Sequence, residues 1–203
     1  MYHVIVIERQ YASGGNEIGR KLAESLGYKL YDRNLLTEAA KTLGMPPMYI
    51  EGLEETHSGG FLFNLSKTKL GGNSNEKALS MSDKLFLEEK RIIEEAAGKG
   101  GCVFVGRAAG YILKDRDDCL NVFIHSDREK RIERAIEREK VPMLEVESVL
   151  KKNDKRRSGF YNSVTEWEWG NPSFFEICLD SGRLGIDFCV KMLAEAVKGS
   201  ERR

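Results

Sequence analysis

The sequence has no excess of either charge: 32 lysines and arginines balance 32 aspartates and glutamates over 203 residues. With no net field, nothing draws the whole chain onto nucleic acid or a membrane surface, so any anion site must be local. No apolar run approaches the ~18 residues of a spanning helix. Nothing near the N-terminus has the basic, apolar and small-residue order of a signal peptide. These absences set the expectation of a cytoplasmic protein with no nucleic-acid and no membrane partner. Cysteine is scarce, and Cys102, Cys119, Cys178 and Cys189 are widely spaced without a Cys-x-x-Cys pair. His3, His57 and His125 also lie far apart, which argues against a zinc site. The first three cysteines sit in or beside apolar strand-like runs, the usage of small core residues in a reducing compartment.

What is present is a regular alternation. Apolar runs recur as VIVI (4–7), KLY (29–31), CVFV (102–105), LNVFI (120–124) and FFEICL (174–179). They are short, β-branched or aromatic, and mostly unalternating, as suits strands buried on both faces of a parallel sheet. Helical spacing lies between them: Ile18, Leu22 and Leu26, then Leu85, Phe86, Ile92, Ile93, Ala96 and Ala97 over about 81–98, then Ile186, Val190, Leu193 and Val197. A chain of this length supports one substantial domain, and the alternation predicts a doubly wound α/β fold.

Two regions break the rhythm. Residues 55–80 carry two glycine pairs and many small polar residues around FLFNL, which reads as a mobile insertion or flap. Residues 127–157 form two highly charged helical segments separated at Pro142. They are either a solvated pair of helices or a lid that brings arginines onto phosphates.

The stretch ERQYASGGNEIGRKL (8–22) joins the first strand to the first helix. Such a turn aims backbone N–H groups at an anion near the positive end of the helix, and Ser13, Gly14, Gly15 and Asn16 stand at its corner. Aligned with G-x-x-x-x-G-K-[ST], however, Arg9 replaces the first glycine, Gly15 the lysine and Asn16 the hydroxyl residue. The turn is thus either a phosphate cradle or a strand–helix turn needing glycine for packing. A dinucleotide fingerprint fails as well, although Asp32 ends the second strand where a ribose-binding acid could stand. Trp167 and Trp169 are either base-stacking groups or loop anchors.

Taken in order, ERQYASGGNEIGRKLAESLGYKLYD, VFVGRAAGYIL, LNVFIHSDREKRIER, NDKRRSGFYN and ICLDSGRLGIDFCVKML resemble the cytidylate kinase-like family, relatives of the P-loop nucleoside monophosphate kinases. The resemblance implies a five-stranded parallel sheet with a core over about 1–32, 98–127 and 172–203. It implies a monophosphate-binding or flap segment over about 33–97 and an arginine-bearing helical lid over about 140–165. Arg107 looks like the arginine of that family's Gly-Arg-Asp segment, which grips the acceptor phosphate, with Ala108 in place of the acid. A surface ion pair is its alternative reading. Asp154 and Arg157 look like an Asp-x-x-Arg lid pair with Arg156 adjacent, and Asp32 with Arg33 opens the acceptor segment.

The resemblance also implies ATP with Mg²⁺, although the loop side chains do not supply the usual lysine and hydroxyl. Arg9 or Arg20 could provide the missing charge, and Ser13 or Glu17 could stand near the metal. Glu17 otherwise simply stabilises the helix dipole. Three readings remain open: a nucleoside monophosphate kinase-like phosphotransferase, a non-catalytic nucleotide- or phosphate-binding module, and a nicotinamide oxidoreductase. The last is opposed by the glycine spacing and by Tyr111 and Lys114 being one residue too close. A homo-oligomer is compatible with all three. If residues 55–80 form a flap, limited proteolysis should cut there first and bound nucleotide should slow the cut. First cleavage elsewhere, with no effect of nucleotide, contradicts a flap.

Overall fold

The structure, a computed structural model, describes residues 2–45 and 80–199. Its strands are β1 (Val4–Arg9), β2 (Lys29–Tyr31), β3 (Cys102–Val105), β4 (Cys119–His125) and β5 (Ile177–Asp180). The described helices are α1 (Gly15–Leu26), α2 (Arg33–Thr42), α3 (Met81–Lys99), α4 (Ala109–Ile112), α5 (Arg128–Glu137), α6 (Val146–Val164), α7 (Ser181–Leu184) and α8 (Ile186–Gly199). All strand pairs are parallel, in the order β2-β3-β1-β4-β5. This is the doubly wound α/β sheet that the alternation predicts, with the five parallel strands that the resemblance implies.

Strand alternation sorts the core into two layers. Ile5, Ile7, Val103, Val105, Val122 and Ile124 face α1 and α8, meeting Ile18, Leu22, Leu193 and Val197. Val4, Val6, Cys102 and Phe104 face the opposite layer, meeting Leu35 of α2, Ile93, Ala96 and Ala97 of α3, and Ala109 of α4. By the same period, Glu8 leaves the end of β1 on the α3 side and Arg9 on the α1 side. Since β1 is central, both project where open α/β sheets bind ligands, in the crevice beyond the strands' carboxyl ends.

The charged segment is more than a solvated pair. Ala135, Val146 and Leu150 bury themselves with Ala12 of the loop after β1, and Tyr11, Ile132 and Ile136 pack around them. A polar clamp reinforces the contact: the Tyr11 N–H donates to Asp154 at 2.8 Å, and Arg131 Nε donates to the Tyr11 carbonyl at 2.8 Å. Arg131 and Asp154 then pair with each other, closing the ring. Both backbone groups of one residue, Tyr11, are satisfied by side chains of α5 and α6.

Three local readings change. Strand β5 begins only at Ile177, because Pro172–Phe174 forms a 3₁₀ turn in which the Ser173 N–H is capped by Asn171. Cys178 is exposed, since it lies on the edge strand, whereas the other three cysteines are buried. Helix α3 runs past Gly98 to Lys99 and is capped by Gly100, and Ile92 on its flank is only partly buried. The proposed flap lies outside the described residues except for Ser80, whose hydroxyl and backbone complete a capping box with Asp83 at the start of α3. Among the described residues, no helix is long and apolar enough to cross a membrane.

Asp154→Ala removes the acceptor of a backbone N–H and the partner of a mostly buried guanidinium. It should lower unfolding free energy by about 1–3 kcal/mol, the cost of leaving such donors unpaired. Urea unfolding with an unchanged slope is the measurement, and a loss below about 0.5 kcal/mol contradicts the clamp.

Candidate active site

The loop after β1 turns on two left-handed residues, Ala12 (φ 57°) and Gly14 (φ 80°), before α1 begins at Gly15. Gly14 is the helix N-cap and offers no side chain, so the first-turn N–H groups of α1 have no side-chain cap. A side chain at Gly14 would collide with Ile186 Cδ1 and meet the Arg134 guanidinium carbon at 3.2 Å. Gly14→Val therefore strains the fold as well as the loop, and cannot isolate anion approach.

Arg9 explains the missing lysine. A Cβ at Gly15 would lie 2.6 Å from Arg9 Cβ, and one at Gly106 would strike the Arg9 guanidinium. The side chain thus runs over position 15, where Nε donates to Asn16 Oδ1 at 2.9 Å, and its tip reaches the turn after β3. Burial lowers the Arg9 pKa, and the nearby positive charges of Arg107 and Arg156 add to the effect, while Glu8 and Asp32 oppose it. Arg20, the other candidate substitute, instead makes an exposed pair with Glu24 at 2.7 Å.

Two adjoining lobes open at this point. The first, about 410 Å³, lies over the start of α1 and is lined by Arg9, Tyr11, Gly14, Gly15, Asn16, Glu17 and Arg20, with Arg134, Arg138, Glu139 and Arg157 opposite. The second, about 480 Å³, extends past the ends of β1 and β3 and is lined by Glu8, Asp32, Arg33, Arg107, Arg156, Phe160 and Tyr161 among others. Arg9, Tyr11, Asn16, Glu139 and Arg157 line both. A third hollow, about 280 Å³, continues from the first between α5 and α7, lined by Ser126, Lys130, Arg134, Arg138, Ser181 and Gly182.

Arg157 donates to the Arg9 carbonyl at 3.2 Å and lies over the Tyr11 ring. Burial, together with the Arg9 charge, lowers its pKa to about 9, so it remains charged at neutral pH. Two like charges in a half-buried crevice repel, and an anion between them relieves that cost.

Arg107 occupies the second lobe from a strained turn. Gly106, Arg107 and Ala108 have φ of 81°, 62° and 54°, an arrangement that costs side-chain-bearing residues about 1–2 kcal/mol each. Its guanidinium lies 4.1 Å from the Phe160 ring centroid and pairs with Glu89 of α3, whose side chain is 0% exposed. The acid missing at Ala108 is thus supplied from another helix. Arg107 is in an ion pair, as its alternative reading held, but the pair is half-buried and faces the crevice rather than lying on the surface.

Other predicted groups are committed elsewhere. The Ser13 hydroxyl is buried and donates to the Gln10 carbonyl at 2.8 Å, and Ser13 lines neither lobe although it borders the third hollow. Burial alone would raise the Glu17 pKa, but hydrogen bonds from Arg134 and Lys21 overcome it and keep the carboxylate ionised. Asp154 lines neither lobe and belongs to the Tyr11 clamp. Asp32 caps α2 by accepting from the Asn34 N–H at 3.1 Å, and it lines the second lobe with Arg33. Trp167 stacks on Phe174 with centroids 5.1 Å apart, and Trp169 meets Phe123 edge-on at 5.4 Å with its side chain near enough to Glu8 to favour the carboxylate, so both are loop anchors and neither lines a lobe.

Sequence reasoning missed Glu8, Glu89, Arg134 and Arg138. The last two share one face of the α5 end, four residues apart, a spacing readable from the sequence. Nothing local marks Glu89, which is one of many glutamates along α3. Among the described residues, no cluster of three or more histidine, cysteine or acidic side chains could hold a metal ion.

The fold recurs in known structures. An uncharacterized protein from Eubacterium ventriosum ATCC 27560 is 25% identical, with a TM-score of 0.72 over 96% of this chain and 98% of that one. Shikimate kinase from Acinetobacter baumannii in complex with shikimate is 15% identical, with a TM-score of 0.55 over 100% of this chain and 97% of that one. A gluconokinase from Sinorhizobium meliloti 1021 is 14% identical, with a TM-score of 0.50 over 98% and 95%. At these identities the two kinases share the fold alone. No curated protein matches the sequence. Residues 4–183 match the model of the cytidylate kinase-like family, and the chain belongs to that family.

Proposed function

We propose that this protein is a nucleotide-dependent phosphotransferase that moves a phosphoryl group from ATP to a small phosphorylated acceptor, most simply a pyrimidine nucleoside monophosphate, giving ADP and the diphosphate. The observation that carries the reading is the pair of adjoining lobes joined at Arg9 and Arg157. Donor phosphates would lie on the backbone of Gly14–Asn16 beneath Arg9 and Arg134, with the nucleoside end in the third hollow. The acceptor phosphate would lie against Arg107, Arg33 and Arg156. The transferring group would pass between Arg9 and Arg157, and the reaction needs little from the protein beyond positioning and neutralised charge. The core, acceptor segment and lid expected from sequence would correspond to the sheet with α1 and α8, to α2 with α3, and to the α5–α6 pair.

The family implies Mg²⁺ with ATP. A triphosphate fits a lobe lined by guanidiniums, but the two groups expected beside the metal do not fit it. Ser13 is turned inward, and Glu17 is held by two cations. What the chain itself supplies to the phosphates is positive charge.

The alternative, a phosphate-binding module without catalysis, draws on the inward Ser13 hydroxyl and the absent lysine. Turnover separates the two. ATP with CMP and other monophosphates should yield ADP and the diphosphate, whereas saturable ATP binding without ADP formation across the panel selects the module.

Two further outcomes follow from the charge arrangement. ATP at about 100 times its Kd should stabilise the fold by about 2.7 kcal/mol, raising Tm by roughly 5–10 °C in a chain of this size. No shift at any attainable concentration contradicts an anion site. Arg107→Ala alone would leave the buried Glu89 carboxylate without its guanidinium, so the clean variant is Arg107→Ala with Glu89→Gln. It should weaken monophosphate binding by about 2 kcal/mol while leaving ATP binding intact. Unchanged monophosphate affinity returns Arg107 to a structural role.

A further inference from the structure

Glu8 has no part in the phosphate contacts described above, yet it is a carboxylate 4% exposed in a crevice otherwise rich in arginine. It ends β1 on the α3 side, lines the second lobe, and accepts the Ala108 N–H at 3.2 Å. Ala108 is the third of three consecutive left-handed residues, and the middle one is Arg107. Without an external anchor, an arginine and an alanine would relax from these angles, because their Cβ atoms disfavour them. Glu89 pairs with the Arg107 tip and Phe160 lies under it, the Gly106 N–H is held by the Ile7 carbonyl at 3.0 Å, and the Ala108 carbonyl accepts from Tyr111 and Ile112, which leaves the Ala108 N–H to Glu8. Glu8 acts on the backbone.

We propose that Glu8 is a positioning residue that holds the Gly106–Ala108 turn in its left-handed form and thereby sets how well Arg107 receives the acceptor's phosphate. The inference rests on the acceptor reading of the second lobe. Strain of this kind persists only where surrounding structure over-determines it, and it concentrates at ligand clamps. A carboxylate suits the task because a charge-assisted acceptor holds an amide more strongly than a neutral one. Its own charge is offset by Arg9 and Arg157, so the lobe remains attractive to anions, although burial raises the Glu8 pKa above its usual value. Glu8 thus turns the alternation of β1 into a fixed direction for a side chain on β3's far end.

The test uses the full chain and two variants. Glu8→Gln keeps an acceptor oxygen, and Glu8→Leu removes it while filling the buried space. The probes are CMP and ATP, measured by calorimetry, with amide hydrogen exchange at Ala108 read by NMR. Glu8→Leu should weaken CMP binding by about tenfold, the loss expected for one hydrogen bond to a charged group. ATP affinity should stay within about twofold, and Glu8→Gln should recover most of the CMP affinity. Ala108 exchange should be about tenfold faster in Glu8→Leu than in the parent, on the same scale. Unchanged Ala108 exchange, or CMP binding within twofold of the parent in Glu8→Leu, overturns the proposal. If the parent itself binds no CMP, the acceptor reading fails instead, and the Ala108 exchange comparison still decides whether Glu8 holds the turn.

Discussion

One side chain constrains the site: Arg9 lies across Gly15 and reaches Gly106, so neither position can carry a Cβ without displacing it. That single placement excludes a lysine at position 15. It also fixes the use of Asn16, which accepts from Arg9 Nε, and of Arg157, which donates to the Arg9 carbonyl. A loop that carries its positive charge on the preceding strand has no room for another at the start of the helix. The departure from G-x-x-x-x-G-K-[ST] is therefore a rearrangement of charge in space rather than its loss.

Gathering Arg9, Arg107, Arg156 and Arg157 at one end of a sheet costs free energy, because burial strips water from like charges. The fold distributes acids to hold the arrangement: Glu8 beside Arg9, Glu89 on Arg107, Glu17 on Arg134 and Asp154 on Arg131. Each acid arrives from a different part of the chain, and each partner is aimed by it. The excess positive charge left along the two lobes is what a polyphosphate would complement. Rigid strands set the directions, while α5 and α6 are tied to the loop by a small apolar cluster, the Tyr11 clamp, the Arg134–Glu17 pair and the Arg157 bond to the Arg9 carbonyl.

Much of the fold was legible because burial on two faces leaves a plain signature. VIVI, KLY, CVFV and LNVFI are strands near the positions their composition indicates, and the four-residue spacing of Ile18 and Leu22 marks the buried face of α1. FFEICL misled because Pro172 and Asn171 favour a capped turn that composition alone does not weigh. The site was half legible. Arg107 and Arg157 stand at lobe walls that a strand-end glycine turn and a charged helix foretold, whereas Asp154 turned to a backbone group that only tertiary packing brings near and Ser13 to the carbonyl three residues before it. Glu89 could not be read as the acid answering Ala108, since the two come together through the packing of α3 against α4 and nothing in sequence spacing reports it.

The role of Arg9 can be measured directly as ATP affinity in three proteins: the parent, Arg9→Gly, and Arg9→Gly with Gly15→Lys. Removing the guanidinium should weaken ATP by about tenfold or more, the scale of one charge-assisted contact. With the Arg9 Cβ and Cγ also gone, a Cβ at position 15 meets nothing closer than Ile124 Cβ at 3.5 Å, and a lysine there should restore much of that loss. Arg9→Gly binding ATP as tightly as the parent would contradict the account, because the positive charge at the loop would then have come from elsewhere.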